Sequence, residues 1–258
     1  MRTRSPSPRA HVVLAQQVVF LVLFLAAWQF ASGRLIPAFY ISSPADIARI
    51  VWQWIAGGSI WLHVAATVRT LFLGYAVGAG LGVVFGLLLG VSPKAERLIA
   101  PFIAAFYGLP KVALLPLYVI FFGIGYVSQI ALVASVVIFL LFYATLSGVR
   151  DIDRDVVDSL RLMGANGAEI TRKIRLPAIL PWIYAGLRTS IGYALTTTVV
   201  AEALSSNRGL GFLIEYSASQ FNAAGVFGAV VVLLVLSSVI MIPLGMLERR
   251  AALTRLSH

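Results

Sequence analysis

Few side chains in this sequence can do covalent chemistry, and their placement narrows what remains. Cysteine is absent, which removes disulfides, thiolate metal sites and a Cys nucleophile. The three histidines, His11, His63 and His258, are too scattered to suggest a cluster and read as surface residues. No H-E-x-x-H, no G-x-S-x-G and no G-x-x-x-x-G-K-[ST] occurs, so metal hydrolysis, a serine nucleophile and a P-loop for ATP all lack their residues. What is left are polar groups inside long apolar runs: Lys111, close to Pro116, the run Thr196-Thr197-Thr198, and Glu202. A charge at that depth is retained more easily beside protein or water than beside lipid, which makes these residues candidates for lining a solute pathway. Plainer alternatives stay open, since threonine hydroxyls can bond carbonyls of their own helix and Lys111 can snorkel toward an interface.

The other concentration of polar residues runs from Arg150 to Pro181, RDIDRDVVDSLRLMGANGAEITRKIRLPAILP. The runs on either side carry almost no charge, so this island lies outside the hydrocarbon that those runs demand. Asp155 to Met163 has helical spacing, with Val156, Leu160 and Met163 on one face, and Gly164 stands where a left-handed C-terminal residue is expected. A second helix starts at once: Asn166 caps it, Glu169 completes a capping box, Ile170 and Ile174 share a face, and Pro177 ends it. The island is therefore a helix, a tight glycine turn and a second helix.

The elements that position these groups follow from composition. With 60% hydrophobic and 12% charged residues and a mean hydropathy of +0.92, the chain is an integral membrane protein, because a soluble domain carries roughly twice that charged fraction. The expected fold is all-α and polytopic, with six transmembrane helices in a single domain spanning 1–258. The N-terminal helix covers about 12–31 and the later spans about 71–91, 100–122, 127–146, 182–203 and 224–246, with the polar loop at about 150–181. Residues Val12 to Ala31 are too long an apolar run for a signal peptide, and Trp28 suits an interfacial anchor. Ser43-Pro44-Ala45-Asp46 starts a short helix whose apolar stripe, Ile47, Ile50, Val51, Trp54 and Ile55, predicts a helix lying at the membrane surface, closed by Gly57-Gly58. In the second span, glycines 74, 78, 82, 86 and 90 form a ridge that admits a close neighbour, in this chain or another. Arg69, just before it, reads as an interfacial residue. The third region is broken by Gly108, Pro110, Lys111 and Pro116, so it should face protein or a water-filled cavity. The fourth reads as uniformly apolar.

Three stretches carry a resemblance. Gly164, nine residues, then Ile174-Arg175-Leu176-Pro177 resembles the G-x9-I-x-L-P half of the EAA loop of ABC importer permeases. The Glu-Ala-Ala of that family is here Asp158-Ser159-Leu160, so the packing of the first loop helix need not follow it. Pro110 to Leu117 with Phe122-Gly123-Ile124, and Val200-Ala201-Glu202 with Gly209-Leu210-Gly211-Phe212, resemble the nitrate, sulfonate and taurine branch of the same family. The resemblance covers about Gly108 to the C-terminus, with the motifs in the right order, and implies the type I importer permease fold. It also implies that the loop residues Asp158, Gly164, Ala165, Asn166, Glu169, Ile170, Arg172, Ile174, Leu176 and Pro177 contact a separate ATPase. The implied partners are a second permease chain in a homodimer, two ATP-binding cassette subunits that hold ATP and Mg, a solute-binding protein and membrane lipid. This chain itself would hold no cofactor and no metal and would not be an enzyme. The implied substrate is a small anion such as a sulfonate, taurine or nitrate. A stand-alone secondary transporter or channel is the competing reading; it would favour more ionisable residues within spans.

The net charge of +10 fits lipid topology better than nucleic acid. Six spans put both termini, the turn at Ser92 and the polar island on one side. That side holds 15 of the 20 Lys and Arg residues: Arg2, Arg4, Arg9, Lys94, Arg97, Arg150, Arg154, Arg161, Arg172, Lys173, Arg175, Arg188, Arg249, Arg250 and Arg255. The positive-inside rule makes it the cytoplasmic side of an inner membrane.

Overall fold

A computed structural model describes residues 8–255, and among these the secondary structure is helical. The order is α1 Pro8–Ala31, α2 Ala38–Ile41, α3 Pro44–Ala56, α4 Ser59–Gly90, α5 Pro93–Gly108, a 3-10 turn Lys111–Leu114, and α6 Leu115–Phe122. It continues with α7 Tyr126–Arg150, α8 Arg154–Leu162, α9 Gly167–Ile170, a π turn Thr171–Arg175, α10 Leu176–Ser205, α11 Leu210–Ser219 and α12 Ala223–Arg255. Each of the six expected spans coincides with a helix or, for the third, with a broken pair. By length and composition α4, α7 and residues 223–242 of α12 can each cross a membrane, and α5 with Lys111–Phe122 makes a fourth candidate bent by 88°. The described apolar part of α1 is shorter, Ala15–Ala31, and α10 is 30 residues long but carries Arg188 and a series of hydroxyls. The three N-terminal arginines except Arg9 lie outside the described residues.

Two compact units are formed. The first contains residues 1–61 and 213–234. There Ser43 caps α3 by accepting from the Asp46 amide at 3.1 Å, and Trp28 Nε1 donates to the Ser42 carbonyl at 3.2 Å. The apolar stripe of α3 packs on α12: Ile50, Val51 and Trp54 close over Gly228, at 3.1–3.2 Å from where a Cβ would stand. A missing side chain on α12 makes the groove that the stripe fills.

The second unit, residues 62–212 and 235–258, is organised around α7. Leu132, Val133, Val137 and Leu141 of that helix have no exposed surface. The glycine ridge of α4 packs along it in the same chain, and every pairing has the same offset: Gly74 meets Val133, Gly78 Val137, Gly82 Leu141, Gly86 Thr145 and Gly90 Val149, so 133−74, 137−78, 141−82, 145−86 and 149−90 all equal 59. A constant offset in the same sense means that α4 and α7 run parallel. A Cβ on any of the five would stand 2.6–2.8 Å from an α7 atom, closer than carbon packing allows. Parallel helices end on the same side, and there the Arg150 guanidinium pairs with Glu96 of α5. The turn at Ser92 and the start of the polar island therefore lie at the same end of the α4–α7 pair. On its other flank α7 meets α10, where Gly148 lies under Trp182 and Gly186 under Ala144.

The break between α5 and α6 follows from its prolines. Pro110 has no N–H to continue α5 and holds Leu109 extended (φ −70°, ψ 137°), and Pro116 is tolerated in the first turn of α6 because no intrahelical donor is needed there.

Candidate functional site

The polar island folds as two loop helices whose geometry is set by local hydrogen bonds. Helix α8 ends in a Schellman motif: the Gly164 amide donates to Arg161 O and the Ala165 amide to Leu160 O, both at 2.9 Å, with Gly164 at φ +90°. Two residues later the Asn166 side chain accepts from the Glu169 amide at 2.9 Å, while Glu169 accepts from the Asn166 amide at 3.1 Å, a complete capping box. That bond, then the charge of Lys173 at 3.6 Å, holds the exposed Glu169 carboxyl below the usual carboxylate range. Asp158 pairs with Arg161 one turn on, at 2.9 Å.

Two expectations are corrected here. The inward face of α8 is Val157, buried, with Leu160 half-buried, whereas Val156 and Met163 point outward. The outward turn leaves Leu162 at 90% and Met163 at 82% exposure, an apolar pair at the corner of the loop. Nor does Pro177 end the second helix. The chain passes from α9 (ending at the buried Ile170) through Thr171–Arg175 into α10, and Pro177 lies in the first turn of α10. A proline ring clashes with the carbonyl four residues back in an α-helix; the wider π turn, in which Leu176 N–H reaches back five residues to Thr171 O, relieves that clash. Arg172 is exposed and Ile174 half-buried in this turn, and Leu176 opens α10. The loop's second helix is thus one continuous rod with a span. Leu160, Met163, Ala165, Ile170 and Ile174 line a groove of about 390 Å³ between the two loop helices.

At the far end of α10 lies a second polar assembly, sealed from solvent. Glu202 is 0% exposed; its Oε2 accepts from Thr67 Oγ1 of α4 at 2.9 Å and from the Gly211 amide at 3.0 Å, while its Oε1 has no partner. Thr67 Oγ1 also accepts from the Leu210 amide at 2.9 Å. The segment after α10 fits because it lacks side chains: a Cβ on Gly209 (φ +114°) would run into the Glu202 carboxyl, and one on Gly211 into the Val199 carbonyl. Beside them Gln129 of α7, 2% exposed, donates to Ser205 O at 3.0 Å and accepts from Thr70 of α4 at 3.4 Å. Side-chain bonds thus pin α4, α7, the end of α10 and the segment after it.

The remaining candidates are engaged separately. Thr196, Thr197 and Thr198 donate to the carbonyls of Gly192, Tyr193 and Ala194 at 2.7–3.1 Å, and of the three only Thr196 is exposed. Lys111 donates to the Tyr107 carbonyl freed at the end of α5, and its ammonium lies 4.6 Å from the Phe139 ring centre and 4.9 Å from that of Tyr107. Pro116 stands in the first turn of α6. Arg69 lies 4.5 Å over the Tyr126 ring.

Sequence reading missed Thr67, Thr70, Gln129 and His63. The fourth span is not uniformly apolar: Ser128 and Gln129 stand near its start, and a lone amide there was the available signal. His63 is not a free surface residue. Its ring stacks on Phe212 at 6.0 Å, and its Nδ1 lies 3.0 Å from the Gly209 carbonyl and 3.2 Å from the Gly209 amide, bonding one or the other according to its protonation.

The chain as a whole is similar to known proteins. The profile of the family described as binding-protein-dependent transport system inner membrane component matches residues 82–253. Among curated proteins, the riboflavin transport system permease protein RibX of Chloroflexus aurantiacus is 32% identical over 90% of this chain and 87% of its own, and the taurine transport system permease protein TauC of Escherichia coli is 29% identical over 89% and 85%. Among solved structures, an inward-facing conformation of the MetNI methionine ABC transporter superposes with a TM-score of 0.64 at 22% identity, covering 74% of this chain and 96% of that one, a likeness of fold. The chain belongs to the binding-protein-dependent transport system inner membrane components, as a transmembrane permease subunit of an ABC importer.

Proposed function

We propose that this permease is driven through its α8–α9 loop by a separate ATPase subunit, and that α10 carries the stroke into the membrane. The supporting observation is mechanical. The apolar pair Leu162 and Met163 sits on a corner fixed by a Schellman motif and a capping box, and the rod behind it runs without a flexible joint into a span. Two such chains form the pathway, a solute-binding protein delivers substrate, and two ATP-binding cassette subunits supply ATP and Mg. ATP-driven closure moves the loops and switches the cavity from one side to the other. The loop and both termini face the cytosol, in keeping with the 15 basic residues on that side.

The substrate is a small organic or inorganic anion, taurine or another sulfonate or nitrate; a relative named for taurine supports this reading. A relative named for riboflavin supports an aromatic heterocycle as the second reading. Uptake into proteoliposomes holding this chain, its ATPase and its binding protein decides between them, with labelled taurine and riboflavin as probes. ATP-dependent uptake of either is expected, and uptake that persists without the ATPase contradicts the mechanism. Cys placed at Asn166, in a chain with no other cysteine, should resist impermeant maleimide added outside intact cells; labelling from outside overturns the topology.

A further inference from the structure

On the loop side of the second unit, a cavity of about 310 Å³ opens between the ends of α4, α5 and α7 and the loop helices. Its apolar wall includes Gly90, Val91 and Val149, the last turns of two apolar helices. Its charged wall holds three arginines against two acids. Arg150 pairs with Glu96 and Arg161 with Asp158, whereas Arg175 has only the Thr171 hydroxyl at 3.4 Å and, among the described residues, no carboxylate within ion-pair distance. Burial, and after it the like charge of Arg161, lowers the proton affinity of the Arg175 guanidinium, in keeping with its want of a carboxylate partner.

We propose that this cavity binds a phosphate-type oxyanion between Arg175 and Arg161, and that its place at the loop-side ends of two apolar helices makes the headgroup of an anionic phospholipid its source. Two guanidinium forks match the oxygens of a phosphodiester better than a point charge would. The cavity opens where α4 and α7 end on the loop side, so a phosphate at headgroup depth can reach the arginines while its acyl chains stay in the bilayer. Because Arg161 belongs to α8 and Arg175 to the π turn, an occupied site ties both loop helices to the lipid surface.

The test uses the permease with its ATPase in detergent and reads thermal unfolding against added phosphatidylglycerol, phosphatidylcholine, or sodium phosphate at an ionic strength matched with chloride. Phosphatidylglycerol should protect at lower concentration than phosphatidylcholine, and Arg175→Gln should weaken that protection about fivefold. Arg161→Gln should do the same, which covers the case in which one variant fails to assemble. Protection by phosphate equal to that by phosphatidylglycerol keeps the oxyanion site but rejects the lipid as its source. Equal responses to both lipids with none to phosphate, or wild-type affinity for phosphatidylglycerol in both variants, overturns the proposal. The readout is lipid binding and not transport, so its failure leaves the coupling reading untouched.

Discussion

The two ends of α10 are built on opposite principles. At the loop end, bonds are local and exposed: Asn166 with Glu169 and Asp158 with Arg161 are three residues apart, and Glu169 with Lys173 four. At the far end they are long-range and enclosed: Thr67 with Glu202 spans 135 residues, His63 with Gly209 146, and Gln129 with Ser205 76. A bond in water returns little net stability, while a buried polar group left unpaired is costly. The far end is thus a fixed anchorage and the loop a preformed shape displayed at a surface, which is what a lever with one driven end requires. The difference predicts that equal perturbations at the two ends have unequal costs.

Glycine is the sharpest case. Gly211→Ala places a Cβ on the Val199 carbonyl and 2.9 Å from Glu202 Cβ, and should destabilise by about 3 kcal/mol or fail to assemble. Gly167→Ala in the loop, with nothing within 4 Å of the added Cβ, should stabilise slightly, by about 0.5 kcal/mol. Thermal unfolding of the purified chain compares them, and similar melting points would abolish the contrast.

Thr67→Val comes next. It leaves the Leu210 amide without its acceptor and removes a donor from Glu202, both buried, for about 1–3 kcal/mol. In a cycle with Glu202→Gln the two costs should not add, because each removes part of one network. Additive costs would mean that the far end is a set of independent contacts.

The smallest effect is at the loop. Asn166→Ala removes the cap for about 1 kcal/mol, expressed as faster amide exchange at Glu169 with the global melting point unchanged. Because the folded Glu169 carboxyl lies below its unfolded value near 4.3, its contribution is complete above that pH. It is lost only as pH falls through the depressed value, so exchange at this site should be flat from about pH 5 to 8 once corrected for intrinsic rates.

The same contrast explains what was legible in the sequence. Capping box, glycine turn and helix spacing are written within ten residues, so α8, the Gly164 turn and the Asn166 cap could be read directly, as could the glycine ridge. The identity of its neighbour could not, because the offset of 59 is a property of the folded pair. Glu202 stood out as a carboxylate in an apolar run, but its partners Thr67, Leu210 and Gly211 meet it only once α4 and α10 pack. Pro177 misled because proline normally stops a helix; the five-residue π turn that admits it leaves no signature in residue type. Which apolar residue of α8 turns inward, Val157 and not Val156, is decided by tertiary packing that local spacing does not encode.

The central claim is that the loop transmits force because its corner has a fixed angle. Gly164 holds φ +90°, which a β-branched residue adopts only under strain, and its added atoms meet nothing within 4 Å. Gly164→Val should therefore insert and pair normally while swinging the helix behind Asn166 out of alignment. The decisive measurement is co-purification of the ATPase together with substrate-stimulated ATP hydrolysis in the reconstituted transporter. Loss of either, with normal membrane insertion, is the predicted result; wild-type values for both would show that this loop is not the coupling element.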